Sequence, residues 1–400
     1  HIEDYFDPEA GYQINELLRK NYHTNDKYFL ITSTDMSPFH KNVDEKKDHE
    51  FEIKNDVKII RLKPIFKISS RLWLKEMNKT IKKIDPDVVF MHGIGDFKDL
   101  ILLRKKKKYK IYRDCHMSWV ASKNKFRKIY YFLYKIIFSR IINNTNKYEK
   151  IFALGREEYE YLKKIGIKDD KIDFLYHGYD KNIMYFDENE RKNIRDKYKI
   201  LEDEILISYI GKFNYSKRPD LIFDILDNLD SQYIKEKKIK LLFIGQKDEE
   251  YMEKFNKKMN QIQKDKDLEI IIDEAKPFNE LKNYFSASDI CIFPEETTLS
   301  SIHAQVCLNP VIMKNYTSNK ERVMNNDNLY DKNDLKKASL ILKRIIDNKE
   351  YIKEKNKKYA NQLLEREYSN QIKKLESYFR SWSNESSDDI WNKTRSDKNG

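Results

Sequence analysis

Short apolar runs alternate with longer amphipathic stretches along most of this chain, and this alternation constrains its fold more than any other feature. Apolar runs of about four to eight residues between turn residues are typical of buried strands. Strands that alternate with helices form parallel sheets with right-handed crossovers. We predict two series of strands, at 29–32, 57–62, 88–91, 110–112, 150–153 and 172–176, and at 205–210, 240–244, 268–272, 290–293 and 311–314.

A charged stretch at 187–203 separates the two series and divides the 400 residues into two domains. We predict a doubly wound, Rossmann-like domain over 1–186 and a second one over 187–365. We expect a helix over 366–383 to pack back on the first domain, followed by a flexible polar tail over 384–400.

The composition is that of a globular protein, because 40% of the residues are hydrophobic and 13% are aromatic. No apolar run reaches the roughly 18 residues of a membrane-spanning helix, and no secretory signal peptide is recognisable. Cys115, Cys291 and Cys307 lack the spacing of metal ligands. Because scattered cysteines suit a reduced compartment better than a disulfide framework, we expect a cytoplasmic protein.

The formal net charge of +12 suits three kinds of partner: a nucleic acid, an anionic membrane surface or a phosphate-bearing substrate. No common nucleic-acid-binding motif is present, so we expect no nucleic-acid partner. Much of the excess positive charge comes from lysines in polar stretches such as 104–110 and 254–266. A Lys-rich coding bias therefore explains the charge equally well.

The segment at 287–313 places polar residues at the carboxyl end of a predicted strand. In its sequence, ASDICIFPEETTLSSIHAQVCLNPVIM, a polar loop and a helix start follow the first apolar run. Open α/β sheets bind ligands at this edge. Ser300 and Ser301 are good N-cap residues, and the backbone N–H groups behind them suit a phosphate. The segment therefore predicts an anion site.

A second polar segment, ISYIGKFNYSKRPDLIFDIL, ends a predicted strand at Gly211. Lys212 and Lys217 follow before a helix that begins near Pro219. Two cations beside a helix N-terminus suit a diphosphate, whose negative charge grows when the bond to it breaks. Ordinary surface lysines are the alternative explanation.

These two segments resemble the donor-domain motifs of the family 4 glycosyltransferases. DYFDPEAGYQINELLRKN at 4–21 resembles the family's N-terminal glycine loop, and EKIFALGREEYEYLKKIGIKDDKIDFLYHGYDKNIMYF at 149–186 resembles its linker region. The motifs keep the family's order up to about Tyr368. Relatives carry several residues ahead of the glycine loop, so we expect native residues, including the initiator Met, to precede His1.

The resemblance implies the GT-B fold, in which two doubly wound Rossmann-like domains face a cleft and a C-terminal helix crosses back to the N-domain. It implies retaining transfer of a sugar from a UDP- or GDP-linked donor, with no essential metal and no other cofactor. The N-domain would take a saccharide or lipid-linked acceptor, and the C-domain the donor. We therefore expect an enzyme of cell-surface polysaccharide or glycolipid synthesis.

The resemblance also implies roles for single residues. Lys212 and Lys217 match the pair that binds the diphosphate, and Arg218, where many relatives have Gly, is either a third cation or a surface residue. The backbone of 299–301 would face the phosphates, and Gly11 would approach them from the N-domain. The implied donor-binding residues are Gly11, Gly211, Lys212, Lys217, Arg218, Glu295, Glu296, Leu299, Ser300, Ser301 and His303.

The family commonly has two glutamates eight residues apart, and the matching positions here hold Glu295 and His303. Glu295 would contact the sugar hydroxyls, with the adjacent Glu296 as the alternative. The second glutamate usually binds the nucleotide ribose. A histidine can hydrogen-bond one ribose hydroxyl but cannot accept from two, as a carboxylate does. A core-facing histidine with satisfied hydrogen bonds is the other interpretation of His303.

The segment KYKIYRDCHMSWVASKN places Asp114 and His116 beyond the end of a predicted strand. In relatives a His or Asp here faces the reacting sugar, so we predict that His116 and Asp114 are catalytic, together with Lys212 and Lys217. Such a pair could orient the acceptor hydroxyl or stabilise positive charge on the sugar. Asp114 as a cap of the next turn is an alternative, and His92 suits either the same site or a structural role.

The segment KIYYFLYKIIFSRIINN at 128–144 is apolar, aromatic and basic, with no acidic residue. It could dock on an anionic membrane as a peripheral contact on the inner face and bring the enzyme to a lipid-linked acceptor. A buried helix of the N-domain with extended Lys and Arg side chains is the alternative that we favour.

Two other functions stay open from the sequence. One is a GT-B enzyme with epimerase-like or phosphorylase-like chemistry, although no lysine motif for pyridoxal phosphate is evident. The other is a catalytically inactive GT-B scaffold or glycan-binding protein, because His303 replaces a glutamate and the chain has only 9 glycines. Binding of a nucleoside diphosphate would separate the enzymes from the scaffold.

Overall fold

The computed structural model describes residues 1–19, 26–37, 43–68, 71–103, 108–117, 127–146 and 148–380. Internal contacts divide the chain into two units. Unit 1 comprises His1–His177 together with the chain from Tyr368, and unit 2 comprises Gly178–Glu367. The sequence suggests boundaries after 186 and 365 instead, and the tail expected over 384–400 lies outside the described residues.

Unit 1 is built on parallel strands. Its strands are β1 (Tyr28–Ser33), β2 (Val57–Leu62), β3 (Pro64–Ile68), β4 (Arg71–Leu74), β5 (Val88–Met91), β6 (Lys110–Cys115), β7 (Tyr148–Ala153) and β8 (Ile172–Phe174). β1 pairs with β2, and β5 to β8 pair in chain order, all in parallel. Ile2 bridges Ile31 of β1 and Met91 of β5, which links the two sets of strands. β3 and β4 form an antiparallel hairpin that the sequence did not predict.

One helical segment of unit 1 has both a buried and an exposed apolar side. The helices before residue 177 are α1 (Gln13–Leu17), α2 (Glu45–Asn55), α3 (Met77–Ile84), α4 (Arg127–Tyr134), α5 (Arg140–Asn144) and α6 (Arg156–Lys164). A π-helical turn, Lys135–Ser139, joins α4 to α5 into the continuous segment 127–144, here called the basic helix. Its Tyr131, Tyr134 and Ile142 lie in the core of unit 1, while other apolar side chains on it are exposed. The favoured interpretation as a buried helix therefore describes only its inner side.

A helix at 368–380, here called the C-terminal helix, packs on unit 1. Its Tyr368, Ile372 and Leu375 share a buried cluster with Leu17, Phe90, Tyr112, Phe152 and Leu175. The hydroxyl of Tyr112 donates to the carbonyl oxygen of Tyr378 at 2.8 Å. The expected return of the chain to the first domain is confirmed.

Unit 2 contains one six-stranded parallel sheet in the order β11-β10-β9-β12-β13-β14. Its strands are β9 (Ile205–Ile210), β10 (Ile239–Ile244), β11 (Glu269–Asp273), β12 (Ile290–Phe293), β13 (Val311–Lys314) and β14 (Leu329–Tyr330). Its helices are α7 (Glu188–Lys197), α8 (Leu221–Asp227), α9 (Ser231–Glu236), α10 (Glu249–Lys266), α11 (Leu281–Ala287), α12 (Ser300–Val306), α13 (Thr317–Lys320), α14 (Leu335–Asp347) and α15 (Lys349–Gln362). Every residue of β9, β12 and β13 is buried, as expected for a sheet with both faces covered by helices.

The strand order of unit 2 brings two polar loops to one edge. β9 and β12 are neighbours and pair in parallel, with Ile207 opposite Ile290. The loop after Ile210 and the loop after Phe293 therefore leave the sheet on the same side. Among the described residues, no helix combines the length and apolar character needed to cross a bilayer.

Candidate functional site

The loop after β9 fixes the position of Lys217. Asn214 Oδ1 accepts hydrogen bonds from Lys217 N at 2.9 Å and from Ser216 Oγ at 3.0 Å. Phe213 is fully buried and anchors the start of the loop. A Cβ on Gly245 would lie 1.7 Å from the carbonyl oxygen of Gly211, so this close contact between two strand ends requires glycine. The loop therefore has a defined shape that presents its lysines at the sheet edge.

Lys217 lies at the centre of a group of charges. Its Nζ donates to the carbonyl oxygen of Thr297 at 2.7 Å and lies 3.5 Å from Glu296 Oε2. Burial lowers the pKa of Lys217, Glu296 partly opposes this, and the charges of Arg322 and Lys212 lower it further. Arg322 and Lys212 therefore lie near enough to Lys217 for their charges to act on it, and its ionic partner Glu296 has a side chain that is 57% exposed. An anion with more than one negative charge would match this group better than Glu296 does.

Arg218 is paired within the protein. Its Nε and Nη2 lie 3.1 and 2.9 Å from the carboxylate oxygens of Asp220. Asp220 is fully buried and also accepts from the hydroxyl of Tyr251 at 2.5 Å and pairs with Lys258 at 2.9 Å. The backbone of Arg218 has φ of +49°, in the left-handed region that favours glycine. This backbone conformation is one that glycine adopts without strain, and the pair with Asp220 gives Arg218 a structural role.

The two adjacent glutamates differ in their surroundings. Glu295 accepts hydrogen bonds from the buried Lys314 and, at 3.0 Å, from the hydroxyl of Tyr316. Its side chain is half-buried, whereas Glu296 is exposed beside Lys217. Glu295 is therefore a fixed carboxylate, and Glu296 is free to change partner.

The start of α12 differs from the predicted one. Thr298 Oγ1 accepts from Ser300 N at 3.3 Å, and the carbonyl oxygen of Thr298 accepts from Ser301 N at 3.3 Å. Ser301 Oγ donates to the same carbonyl oxygen at 2.7 Å. The prediction that Ser300 and Ser301 are N-cap residues is wrong, because Leu299 already has helical dihedral angles and Thr298 supplies the capping oxygen. Both hydrogen bonds that the backbone N–H groups of Ser300 and Ser301 donate to Thr298 are long. A stronger acceptor could therefore take the place of the Thr298 oxygens.

His303 on α12 is buried, between the rings of Phe278 and Phe285. Burial lowers its pKa to about 4, and a hydrogen bond with the backbone of Gly178 partly opposes this. The ring is therefore neutral near pH 7. Among the described residues, none is hydrogen-bonded to its Nε2. The alternative of a fully satisfied core histidine does not describe this ring, because one buried nitrogen has an unused hydrogen-bonding capacity.

In unit 1, Asp114 at the end of β6 binds two histidines. Its oxygens lie 2.5 Å from His92 Nδ1 and 3.1 Å from His116 Nε2, and one of them accepts from Gly93 N at 2.7 Å. Burial would raise the pKa of Asp114, but the charges and hydrogen bonds of His116 and His92 hold it well below its usual value. Asp114 is thus more than a cap of the next turn, and His92 is buried beside it.

His116 is the exposed member of this cluster, with 41% of its side chain accessible. Burial of part of the ring lowers its pKa, but Asp114, Glu3 and Glu158 outweigh this and raise it to about 9. His116 therefore carries a proton at neutral pH. The ligand atoms of His92, Asp114 and His116 lie within 4.8 Å of one another, a spacing that a divalent metal could bridge. The hydrogen bonds within the cluster already occupy the carboxylate, and the absence of an essential metal stays a prediction.

A buried charge network that the sequence did not reveal supports this cluster. The guanidinium of Arg113 is fully buried, pairs with Asp96 and Asp99, and donates to the carbonyl oxygen of Gly93. Lys98 pairs with Asp96 at 2.9 Å and with Asp4 at 2.8 Å. The network fixes the turn after β5, whose Gly93 amide binds Asp114.

Comparison with known protein families assigns both halves of the chain. The family model described as Glycosyl transferases group 1 matches residues 190–363, and the model described as Glycosyltransferase Family 4 matches residues 29–182. The chain belongs to the family 4 glycosyltransferases. It is therefore an enzyme of sugar transfer, and the two other functions that the sequence left open are not supported. Among curated protein sequences, none matches this glycosyltransferase.

Solved structures show the fold of this family 4 glycosyltransferase. HepE from Anabaena in complex with UDP is 11% identical, with a TM-score of 0.70, and the match covers 95% of this chain and 98% of that one. Sucrose-phosphate synthase from Thermosynechococcus elongatus is 15% identical, with a TM-score of 0.66 and the same coverage. WaaG, a glycosyltransferase of lipopolysaccharide biosynthesis, is 13% identical, with a TM-score of 0.62, and covers 94% and 97%. The predicted GT-B fold is confirmed.

The predicted site residues of this glycosyltransferase fall into four groups, one of which, Leu299, Ser300, Ser301 and His303, lies at the start of α12 and within it. Gly211, Lys212, Lys217 and Glu296 lie together at one sheet edge of unit 2, with Glu295 and Arg218 beside them. Asp114 and His116 form the cluster of unit 1, and Gly11 lies in the loop before α1. Sequence reasoning missed Arg322, Lys314 and Asp220. No local motif indicates them, because what each does depends on a contact in the folded protein. Arg322 lies near Lys217, Lys314 pairs with Glu295, and Asp220 pairs with Arg218.

Proposed function

We propose that this glycosyltransferase transfers a sugar, with retention of configuration, from a UDP- or GDP-linked donor to a saccharide or lipid-linked acceptor. We further propose that it serves in the synthesis of a cell-surface polysaccharide or glycolipid. The observation that carries the proposal is the position of Lys217, whose Nζ lies 3.5 Å from the exposed carboxylate of Glu296 and whose pKa is lowered by the nearby charges of Arg322 and Lys212. The UDP bound in the HepE structure and the lipopolysaccharide role of WaaG support the donor class and the setting.

Lys212 and Lys217 would stabilise the departing diphosphate. When the bond between the anomeric carbon and the phosphate oxygen breaks, negative charge accumulates on the diphosphate, and fixed cations lower the energy of that state. Glu296 and the Thr297 carbonyl oxygen contact the ammonium group of Lys217. The diphosphate would take over these contacts, with the amides of Ser300 and Ser301 as further donors.

His303 would hold the ribose by a single hydrogen bond. A neutral imidazole has one donor and one acceptor nitrogen. Because one nitrogen is engaged with the Gly178 backbone, the buried Nε2 is left for a ligand hydroxyl. This arrangement supports a role for His303 in place of the family's glutamate. Glu295, fixed by Lys314, would be the carboxylate that holds the sugar hydroxyls.

His116 would act as a hydrogen-bond donor to a substrate hydroxyl. A group with a pKa of about 9 is already protonated at neutral pH, so it is a poor general base. The charge of Asp114 keeps the proton on His116 and fixes the ring. The positive imidazolium would orient a sugar or acceptor oxygen, and another group must accept the proton of the acceptor hydroxyl.

Calorimetry with UDP and GDP, followed by turnover with the matching sugar nucleotide, tests the proposal. Removing one such cationic donor typically lowers turnover by roughly 10²–10³-fold. We expect losses of this size for Lys212→Ala and for Lys217→Ala, with unchanged thermal stability. Lys235→Ala on α9, an exposed lysine of the same unit, is the matched control and should retain full activity. Binding of neither nucleotide by the intact protein, or full activity of both variants, would reject the proposal.

A further inference from the structure

Two elements of unit 1 expose large apolar side chains. On the β3–β4 hairpin, Ile65, Phe66 and Ile68 are 57%, 45% and 60% exposed. On the basic helix, the exposed apolar residues are Ile129 (60%), Phe132 (63%), Leu133 (50%), Ile136 (37%) and Ile137 (44%). Single exposed apolar residues are common on proteins, but a group of this size marks an interaction surface.

The two elements lie next to each other. A Cβ built on Gly95 would be 2.0 Å from the hydroxyl of Tyr130 on the basic helix and 3.5 Å from Nη1 of Arg71 on the hairpin. Both elements also send side chains into the same buried core, Leu72 and Leu74 from β4 and Tyr134 from the basic helix. Their exposed apolar residues therefore belong to one region of unit 1, here called the apolar–basic face.

The two elements of the apolar–basic face carry charge of a single sign in their own sequence. Residues 57–75 and 115–148, which contain the hairpin and the basic helix, include no Asp or Glu, although 66 of the 400 residues are acidic. Eight cationic residues fall within the two elements or directly beside them in sequence: Lys63, Lys67, Arg71, Lys75, Arg127, Lys128, Lys135 and Arg140. A purely ionic partner would leave the bulky apolar side chains in water, and a purely apolar partner would leave the cations without counter-charges.

We propose that the apolar–basic face docks on an anionic lipid bilayer. Side chains such as Phe132 and Ile129 would enter the boundary between headgroups and acyl chains, while the lysines and arginines would contact anionic headgroups. A second copy of this chain is a poorer occupant, because two such faces would bring like charges together. The inference does not depend on the proposed donor site, since it concerns a different surface and needs no nucleotide.

Co-sedimentation of the full chain with phosphatidylcholine vesicles, with and without phosphatidylglycerol, tests the proposal. We expect binding that requires phosphatidylglycerol and weakens as salt is added. Ile129→Ser with Phe132→Ser should weaken binding by at least about tenfold, because the inserted apolar area is lost. Ile53→Ser on α2, 69% exposed in the same unit, is the matched control and should bind normally.

A second pair of variants separates charge from apolar contact. Lys128→Glu with Lys135→Glu should weaken binding by roughly fivefold or more for each cation removed, while Lys54→Glu on α2 should have little effect. Circular dichroism confirms the fold, and Phe66→Ser on the hairpin replaces the helix variants if they unfold. Equal binding to neutral vesicles, no binding to either, or binding indifferent to the apolar variants would overturn the proposal. A dimer in solution that Phe132→Ser dissociates would overturn it as well, since a second copy would then be the occupant.

Discussion

The charged cluster of unit 1 and the lysine loop of unit 2 handle charge in opposite ways. Asp114 is fully buried, and His92, His116 and the Gly93 amide surround it, so the protein itself supplies the partners of this carboxylate before any substrate binds. Lys217 instead lies among other cations with one exposed glutamate as its ionic partner. The first arrangement suits a constant task, such as orienting an oxygen. The second suits an anion that arrives and leaves.

The largest effect should follow from Asp114→Asn. Without the carboxylate, burial is no longer opposed, and we expect the pKa of His116 to fall from about 9 to below its ordinary value near 6.5. His116 would then be neutral at pH 7, and turnover should fall by roughly 10²-fold or more. NMR titration of the His116 ring reports the pKa, and steady-state kinetics report the turnover. Asp173→Asn, at a pair near the C-terminal helix, is a control within unit 1. A His116 pKa that stays near 9 would show that Asp114 does not set the protonation state.

The two histidines should give stability curves of opposite sign. The pKa of His303 is lower in the folded than in the unfolded state, so below about pH 6.5 the unfolded state takes up a proton that the folded state does not. The wild type should therefore lose about 3 kcal/mol of unfolding free energy relative to His303→Gln between pH 6.5 and pH 4. For His116, whose folded pKa is raised, the contribution is present below pH 6.5 and is lost as pH rises through about 9.

Chemical denaturation across pH 4 to 10 measures both differences. Comparing each variant with the wild type at every pH removes the contribution of the other titratable groups. A His303→Gln difference that does not change between pH 6.5 and 4 would mean that His303 titrates normally and is not buried in solution.

A smaller effect should separate two contributions of Arg218 to stability, that of its backbone conformation and that of its side chain. Both Arg218→Ala and Arg218→Gly remove the pair with the buried Asp220 and should destabilise the protein by about 1–3 kcal/mol. Because φ at this position is +49°, the glycine variant should be the more stable of the two by about 1 kcal/mol. Equal stabilities would indicate that the loop relaxes out of the left-handed conformation.

The smallest effect concerns the exposed partner of Lys217. Glu296→Gln should tighten the binding of the nucleoside diphosphate by about two- to fivefold, because an exposed ion pair that competes with the ligand is removed. Glu253→Gln, on the exposed side of α10, is the control. If Glu296 rather than Glu295 holds the sugar, the variant will bind the diphosphate more tightly and the sugar nucleotide more weakly. Calorimetry with both ligands therefore also decides between the two glutamates.

Buried parallel strands were the most predictable part of the fold. The runs at 205–210, 290–293 and 311–314 match β9, β12 and β13 to the residue, because each is mostly apolar and is followed by Gly, Pro or Asn. The hairpin of β3 and β4 was missed. Its strands, PIFKI and RLWL, are short, and the basic residues Lys67 and Arg71 interrupt their apolar residues, so they lack the longer apolar run by which the other strands were found.

The site was predictable only where its residues follow a strand in sequence. Lys212 and Lys217 could be found because they come directly after a buried strand and its glycine. The pair of Glu295 with Lys314 joins two strand ends, and the bonds of Arg113 join β6 to the turn after β5. These pairings are consequences of the three-dimensional order of the strands, which no local spacing encodes.

The C-terminal helix has a consequence for the order in which the protein forms. Five of the core residues that it covers lie before residue 176, but the helix itself is synthesised only after all of unit 2. On the ribosome, the continuous chain of unit 2 has its whole sequence available before the last helix of unit 1 emerges. The first half of the enzyme to be translated is thus the last to be completed.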